Sequence, residues 1–200
     1  MTPTYQQLFA IQNKLGYKFF DSGNMNLNLI FHRVDDEITN LFTDFLYLAY
    51  RDNGLPVVKI FSCTTKPGKN NITCSAVVPG FYPHAWEWKI QDLPPSNLQM
   101  LNPWIYDYGA SIGTINCYTV PPLANMIVPD EVQHITGKIN LHCMGLKLGN
   151  HKINNFSEGC FGFDYDTYIE VTNIIRKSIP SEGNILSFTL LENKNFENVV

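Results

Sequence analysis

The sequence has no long apolar run and no concentration of charge of one sign. Its 14 Lys and Arg residues are scattered among 18 Asp and Glu residues, giving a formal net charge of −4. Nucleic acids and anionic lipids select basic patches, so neither partner is expected. No window reaches the roughly 20 apolar residues that span a bilayer. The start, MTPTYQQLFAIQNKLGYKFF, also lacks the basic and apolar regions of a signal peptide. We therefore expect no membrane partner and no export by the usual signal.

The cysteines lack the pattern of a disulfide scaffold. There are five, an odd number, and no two form a Cys-x-x-Cys pair. By residue type alone, one possible zinc site consists of His142, Cys143, His151 and Cys160. Its spacing matches no common tetrahedral pattern, and alternation along a strand points Cys143 away from His142. We expect neither a metal nor an organic cofactor.

Helical patterns occur near both ends of the chain. Leu8, Ile11 and Leu15 have helical spacing, and Gly16 follows them, which predicts a short N-terminal helix. Asp164 is a suitable N-cap for a second helix. The apolar residues of that helix are Tyr168, Ile169, Ile175 and Ile179.

Most of the remaining chain favours short strands separated by Gly, Pro, Asn and Asp. The strand-like segments are MNLNLIFHR, DFLYLAYRD, PVVKIFSCTT, ITCSAVV, HAWEWKI, TINCYTV, GKINLHCMG and NILSFTLLE. Repeats, low-complexity tracts and linker-like segments are missing, which predicts a single domain over residues 1–200. The expected fold class is mainly β, with one N-terminal helix and one later helix.

His142 lies on a strand whose two faces differ. Alternation puts Ile139, Leu141 and Cys143 on one face, and Asn140 and His142 on the other. Cys143 is therefore expected to be a small core residue. The histidines outside this strand, His32, His84 and His134, are expected to have structural or surface roles.

Ser157-Glu158-Gly159-Cys160 forms a turn of small residues around a cysteine. A thiol becomes a useful nucleophile near neutral pH when a base or a positive charge favours the thiolate. His142 can be that base if the chain returns to its side. Ser157 and Gly159 allow a tight bend, so that main-chain N–H groups near Cys160 can face a developing oxyanion.

These residues resemble the catalytic domain of the L,D-transpeptidase (YkuD-like) family. In that family a histidine precedes a Ser/Thr-His-Gly-Cys turn, and here 14 residues separate His142 from Ser157. The histidine comes before the cysteine, the opposite of the order in papain-like enzymes. A helix, a turn and an apolar strand follow the cysteine in the family, and residues 164–191 have the same order. The segment Phe61–Gly68 is similar to the family's strand leading into a Thr-Pro turn.

The resemblance covers about residues 55–192, which makes residues 1–54 an N-terminal support region. The combination of KLGYKFF, NLNLIFHR, CTTKPG, NLH and SEGC also resembles proteins from bacteriophages and their hosts. Two positions depart from the family pattern. Glu158 stands where a histidine is usual, and Phe161-Gly162-Phe163 replaces an Arg or Asn after the cysteine.

The resemblance implies a β-sandwich or barrel that performs acyl transfer on peptidoglycan stem peptides. His142 takes the proton of Cys160, whose thiolate attacks a peptide carbonyl, while Ser157 and Gly159 shape the oxyanion site. We assign Arg33 and Glu158 to substrate binding, Arg33 because a guanidinium pairs with a carboxylate. An amine or water resolves the acyl-enzyme, giving cross-linking or hydrolysis. The protein is then expected in the cytoplasm of the producing cell or on a virion, acting on the cell wall.

Two other functions are compatible with the same residues. One is a virion or scaffold component that keeps the fold without turnover. The other is a cysteine peptidase or amidase that acts on other peptides.

Overall fold

A computed structural model describes residues 2–69, 73–91, 107–144, 153 and 157–197, which form a mainly β fold with three helices. The mainly β expectation is confirmed. In chain order the elements are α1 (Tyr5–Lys14), β1 (Asn28–Arg33), β2 (Asp44–Asp52), β3 (Leu55–Cys63), β4 (Cys74–Val77), β5 (Gly80–Lys89), β6 (Tyr108–Ser111), β7 (Thr114–Val120), β8 (Gln133–Thr136), β9 (Leu141–Cys143), β10 (Phe161–Phe163), α2 (Tyr165–Glu182), β11 (Ile185–Glu192) and α3 (Asn193–Phe196).

Eight strands form one strongly curved sheet in the order β10-β9-β6-β5-β11-β1-β2-β3. Its two ends meet where Thr64, the residue after β3, bridges Gly162 of β10. The Thr64 N–H donates to the Gly162 carbonyl at 2.9 Å, and the Gly162 N–H donates back at 3.1 Å. We call this junction the seam. It turns the sheet into a nearly closed barrel, which leaves few strand edges unpaired.

Large aromatic side chains and helix α2 fill the barrel. Trp86 stacks on Phe188 with ring centroids 4.3 Å apart, and Phe31 meets Phe161 edge to face at 4.7 Å. Each such side chain contributes about 1.5–3 kcal/mol by leaving water. The predicted cap of α2 is confirmed, because the Asp164 side chain accepts the Thr167 N–H at 2.9 Å. The buried side of α2 consists of Tyr168, Val171, Thr172, Ile175 and Ser178.

The N-terminal helix packs on the outside of the barrel. Thr4 and Gln7 form a capping box at its start, and Leu8 and Ile11 are buried. They belong to one apolar cluster with Ile30 of β1. Gly16, at φ 71°, follows the helix end as the sequence predicts. Residues 1–54, expected to be a support region, also supply β1 and β2 to the barrel sheet.

A second sheet, in the order β4-β7-β8, lies beside the seam. Its own apolar cluster includes Cys74, Ala76 and Val120. Strand β4 reaches the cysteine turn, since the Ser75 N–H donates to the Glu158 carbonyl at 2.8 Å. The small sheet therefore braces the turn that carries Cys160. Among the described helices, none is long and apolar enough to cross a bilayer.

Candidate active site at the barrel seam

The parallel pairing of β9 and β10 fixes the register between the strand of His142 and the strand that follows Cys160. Phe161 pairs with Leu141, and Gly162 pairs with His142. Leu141 and Phe161 belong to the barrel core. Because side chains alternate along a strand, we expect His142, and the Cys160 side chain one residue before Phe161, on the opposite face.

The His142 ring is held in one tautomer. Its Nδ1 lies 2.9 Å from the Cys143 carbonyl oxygen, and the residue is 2% exposed. A carbonyl oxygen only accepts, so Nδ1 carries the proton and Nε2 carries the lone pair of a base. Burial lowers the pKa of His142, while the bond to Cys143 acts against that shift. The ring is therefore neutral at pH 7.

Cys160 rests as a thiol. The Asn140 N–H donates to its sulfur at 3.4 Å, and the thiol donates to the Lys138 carbonyl, also at 3.4 Å. Burial raises the pKa of Cys160 to about 11, and the Glu158 carboxylate adds to that rise while the Asn140 N–H opposes it. A base must therefore remove the thiol proton in the same step in which the sulfur attacks a substrate.

The Cys160 thiol is bonded to backbone groups and has no direct bond to the imidazole among the described residues. Within the part of the chain that the structure describes, the hydrogen bonds of the Cys160 sulfur involve Asn140 and Lys138 and not the His142 ring. Cys160 lies opposite Asn140, two residues before His142 along the strand direction. Two residues of rise and one strand spacing separate their Cα atoms by about 8 Å.

Ser157 and Gly159 determine the conformation of the cysteine turn. The buried Ser157 hydroxyl lies 2.9 Å from the Cys160 carbonyl oxygen and accepts the Gly159 N–H at 3.2 Å. Gly159 has φ +134°, and a Cβ there would lie 2.3 Å from the Ser75 carbonyl oxygen. The Gly159 N–H, expected to face an oxyanion, is thus engaged within the turn. The Cys160 N–H interacts with its own sulfur, as the Asn140 N–H does.

Gly162 leaves no room for a larger side chain beside His142. Phe161 and Phe163 are core residues, so only position 162 faces the site. A Cβ at Gly162 would lie 2.4 Å from the His142 carbonyl oxygen and 2.7 Å from Met144 Cε. Neither an Arg nor an Asn side chain can start from this position without moving the neighbouring strand.

The two residues assigned to substrate binding occupy different environments. Glu158 is exposed and its charge acts on Cys160. Arg33 is 1% exposed, and its guanidinium donates to the Val77 carbonyl at 3.0 Å and to the Thr65 carbonyl at 2.9 Å. Arg33 therefore holds the loop after β3 against β4.

A buried charged network behind the turn is not evident from the sequence. Asp44 is 0% exposed and accepts the Thr65 N–H at 2.9 Å and the Thr65 hydroxyl at 2.7 Å. Its other oxygen lies 3.2 Å from Lys66 Nζ. The Lys66 carbonyl in turn lies 3.3 Å from the Ser157 hydroxyl. Only the polarity of Asp44 at the start of an apolar strand hints at this role.

The described residues hold no group of three or more His, Cys, Asp or Glu side chains placed to bind a metal ion. Cys143 lies in the core, on the face away from His142. His151, the remaining member of the zinc site considered above, lies outside the described residues.

Comparisons with protein-family models, with curated proteins and with solved structures found no match to this chain.

Proposed function

We propose that the protein is a cysteine-dependent acyltransferase or hydrolase, with Cys160 as nucleophile and His142 as general base. The observation that carries the proposal is the pairing of β9 with β10, whose register, with strand alternation, leads us to expect both side chains on one face beside the seam. The Nε2 lone pair of His142 gives the ring the protonation state of a base at neutral pH.

The reaction begins with proton transfer from the Cys160 thiol to Nε2 of His142. The sulfur then forms a bond to the substrate carbonyl carbon, and the Cys160 N–H faces the resulting oxyanion. Collapse of this intermediate breaks the carbon–nitrogen bond, and the imidazolium returns its proton to the leaving amine. Water or a second amine attacks the thioester, which releases the product and restores the thiol.

The substrate we propose is a peptidoglycan stem peptide. Support comes from the resemblance of the His142, Ser157, Gly159 and Cys160 arrangement to the L,D-transpeptidase signature. Attack beside the L-centre of a diaminopimelate residue would release a D-amino acid. Under this proposal the protein acts on the cell wall, either from the producing cell or as part of a virion.

Carbapenem labelling tests the proposal. Intact-mass and peptide mass spectrometry should find one β-lactam adduct on Cys160 in the folded protein. Cys160→Ser should lose the adduct, and His142→Gln should slow its formation by about 10²–10⁴-fold, the usual contribution of a general base. Cys74→Ala, which removes a cysteine of the small sheet, is the matched control and should label normally. Labelling by iodoacetamide but not by a carbapenem would favour a peptidase or amidase instead.

A second candidate is a non-catalytic wall-binding or virion protein. The observation that favours it is the resting thiol, which is bonded to backbone groups on both sides and has a raised pKa. This candidate predicts that wild type and Cys160→Ala have the same effect on purified peptidoglycan. Muropeptide analysis by liquid chromatography separates the two functions, because an enzyme changes the profile and its Ala variant does not.

A further inference from the structure

A groove distinct from the cysteine turn lies at the C-terminal end of α2. It has a volume of about 230 Å³, and its walls include Phe20, Leu27, His84, Glu182 and Leu186. Pockets for drug-sized ligands have volumes of roughly 300–1,000 Å³, so this groove suits a smaller molecule.

The end of α2 makes one side of the groove electronegative. A helix C-terminus carries partial negative charge, and the last turn of α2 contains no basic residue that would offset it. Glu182, the last residue of the helix, adds a full negative charge at this unfavourable place. Within the described residues its carboxylate takes part in no hydrogen bond or ion pair.

Gly23 makes room for that carboxylate. Oε1 of Glu182 lies 2.8 Å from the place where a Cβ on Gly23 would be, and Gly23 has φ +87°. Any other residue at position 23 would therefore push the Glu182 carboxylate aside.

His84 stands in the wall formed by β5. It has φ +50°, a rare conformation for a residue with a side chain, in a bulge where three residues of β5 face one of β11. Its N–H donates to the Ser187 hydroxyl at 3.0 Å. Backbone strain of this kind is retained only where the surrounding structure enforces it, and it concentrates at ligand sites.

The groove also has an apolar part, next to the polar residues Asn26, Ser178 and Ser187, which favours an organic ligand over a bare metal ion. Phe20, Leu27 and Leu186 offer hydrocarbon surface. Lys18 Nζ already lies 5.0 Å from the centroid of the Phe20 ring. A cationic ligand would therefore pair with Glu182 and the helix end, and not with this aromatic face.

We propose that this groove binds a small aliphatic amine. The ammonium group bonds to the Glu182 carboxylate at the end of α2, the hydrocarbon part lies on Leu27 and Leu186, and His84 meets the far end of the ligand. The site is independent of the Cys160 proposal, since no residue of the cysteine turn lines it.

A charge series of equal carbon length tests the site. Butylammonium, butanol and butyrate would be titrated in turn while ¹H–¹⁵N NMR spectra follow the backbone amides of His84, Gly183 and Ser187. Butylammonium should give saturable shifts at these amides, and the other two compounds should not. Glu182→Gln should weaken butylammonium binding about threefold or more, the loss of one partly exposed charge pair. Glu170→Gln, an exposed change elsewhere on α2, should leave it unchanged.

Three outcomes would overturn the proposal. They are no saturable shift with butylammonium, equal binding of butanol, and unchanged binding in Glu182→Gln. Retention of the wild-type amide spectrum in Glu182→Gln shows that the variant is folded, so that a loss of binding is attributable to the missing charge.

Discussion

Gly159 is the residue on which the shape of the cysteine turn depends most directly. We expect Gly159→Ala to lower the free energy of unfolding by about 3 kcal/mol or more, because the new Cβ meets the Ser75 carbonyl oxygen at 2.3 Å. Gly137→Ala is the matched control. It also has a positive φ, 77°, but open space around it, so only about 1 kcal/mol of backbone strain is expected. Urea denaturation compares the two variants, and equal losses would contradict the contact with Ser75.

The Cys160 thiol should react slowly near neutral pH. Because burial and the Glu158 charge raise its pKa to about 11, the iodoacetamide labelling rate should rise about tenfold per pH unit through pH 8–10. A plateau below pH 9 would instead indicate a thiolate formed in advance.

Removing the Glu158 charge should make the thiol easier to ionise. Glu158→Gln should raise the labelling rate at pH 8 by about twofold to threefold, since the removed charge is exposed and screened. Glu170→Gln removes one negative charge at a different place, so its labelling rate should equal that of wild type. A rate in Glu158→Gln that does not differ from wild type would show that the carboxylate points away from the sulfur.

The positions of some of these residues could be predicted from the sequence, and those of others could not, for a physical reason. The opposite faces of His142 and Cys143 are predicted from alternation alone, and Cys143 does lie in the barrel core. The position of Arg33 does not follow, because its partners Thr65 and Val77 are distant in the chain. A polar residue at a strand end looks the same in sequence whether it meets solvent or a buried carbonyl.

Helix α2 is fixed to the barrel by an ion pair between a buried carboxylate and a partly exposed arginine. Asp107, just before β6, accepts two bonds of 2.6 Å from the Arg176 guanidinium and one of 3.1 Å from the Trp88 indole. Burial alone would raise the pKa of Asp107, but Arg176 and the neighbouring N–H groups outweigh it and hold that pKa below the usual range. Tyr168 of α2 donates to the Asp107 carbonyl as well.

Because of this ion pair, we expect the free energy of unfolding to fall at acidic pH. A carboxylate whose pKa is depressed by folding stabilises the native state above its unfolded pKa of about 4, and that contribution is lost as the pH falls through the lower folded value. Asp107→Asn should lower the free energy of unfolding at pH 7 by about 1–3 kcal/mol and flatten the dependence below pH 4. Denaturation series at several pH values measure both effects. Asp130→Asn changes an exposed loop residue, so its free energy of unfolding should fall at acidic pH as that of wild type does.

Elements with strong local patterns were predictable, and short ones were not. The segment NILSFTLLE predicted β11, which spans Ile185–Glu192. The helix after Asp164 was also predicted, although it continues past Pro180 to Glu182. Strand β10 has only three residues, and its pairing with β9 and Thr64 depends on distant parts of the chain.

At the scale of the whole molecule, the Asp44 network connects barrel closure to the site. Asp44→Asn leaves Lys66 and Arg33 buried without this charged partner, so the free energy of unfolding should fall by about 3–5 kcal/mol. Hydrogen exchange at the Thr64 and Gly162 amides, which form the seam, should accelerate more than exchange at the β1 amides. Asp35→Asn is the control, because Asp35 also pairs with Lys66 but its side chain is 52% exposed. Its loss should be below about 1 kcal/mol.

The strand pairings that close the barrel could not be predicted from the sequence. Composition and alternation indicate how many strands bury one face, but not which strand meets which. The neighbours of β1 are β2, which follows it closely, and β11, which is more than 150 residues later. Pairings of that separation depend on the packing of all the side chains inside.

The place of β11 between β5 and β1 also sets the order in which the molecule can assemble during translation. Ribosomes make chains from the N-terminus, so β1 and β5 leave the exit tunnel well before the strand that joins them. Until residues 185–192 emerge, each of these two strands has an unpaired edge and Trp86 and Phe31 lack their partner Phe188. Folding of the barrel is therefore a late event in synthesis, and nascent chains that stop before β11 are the form most exposed to aggregation and proteolysis.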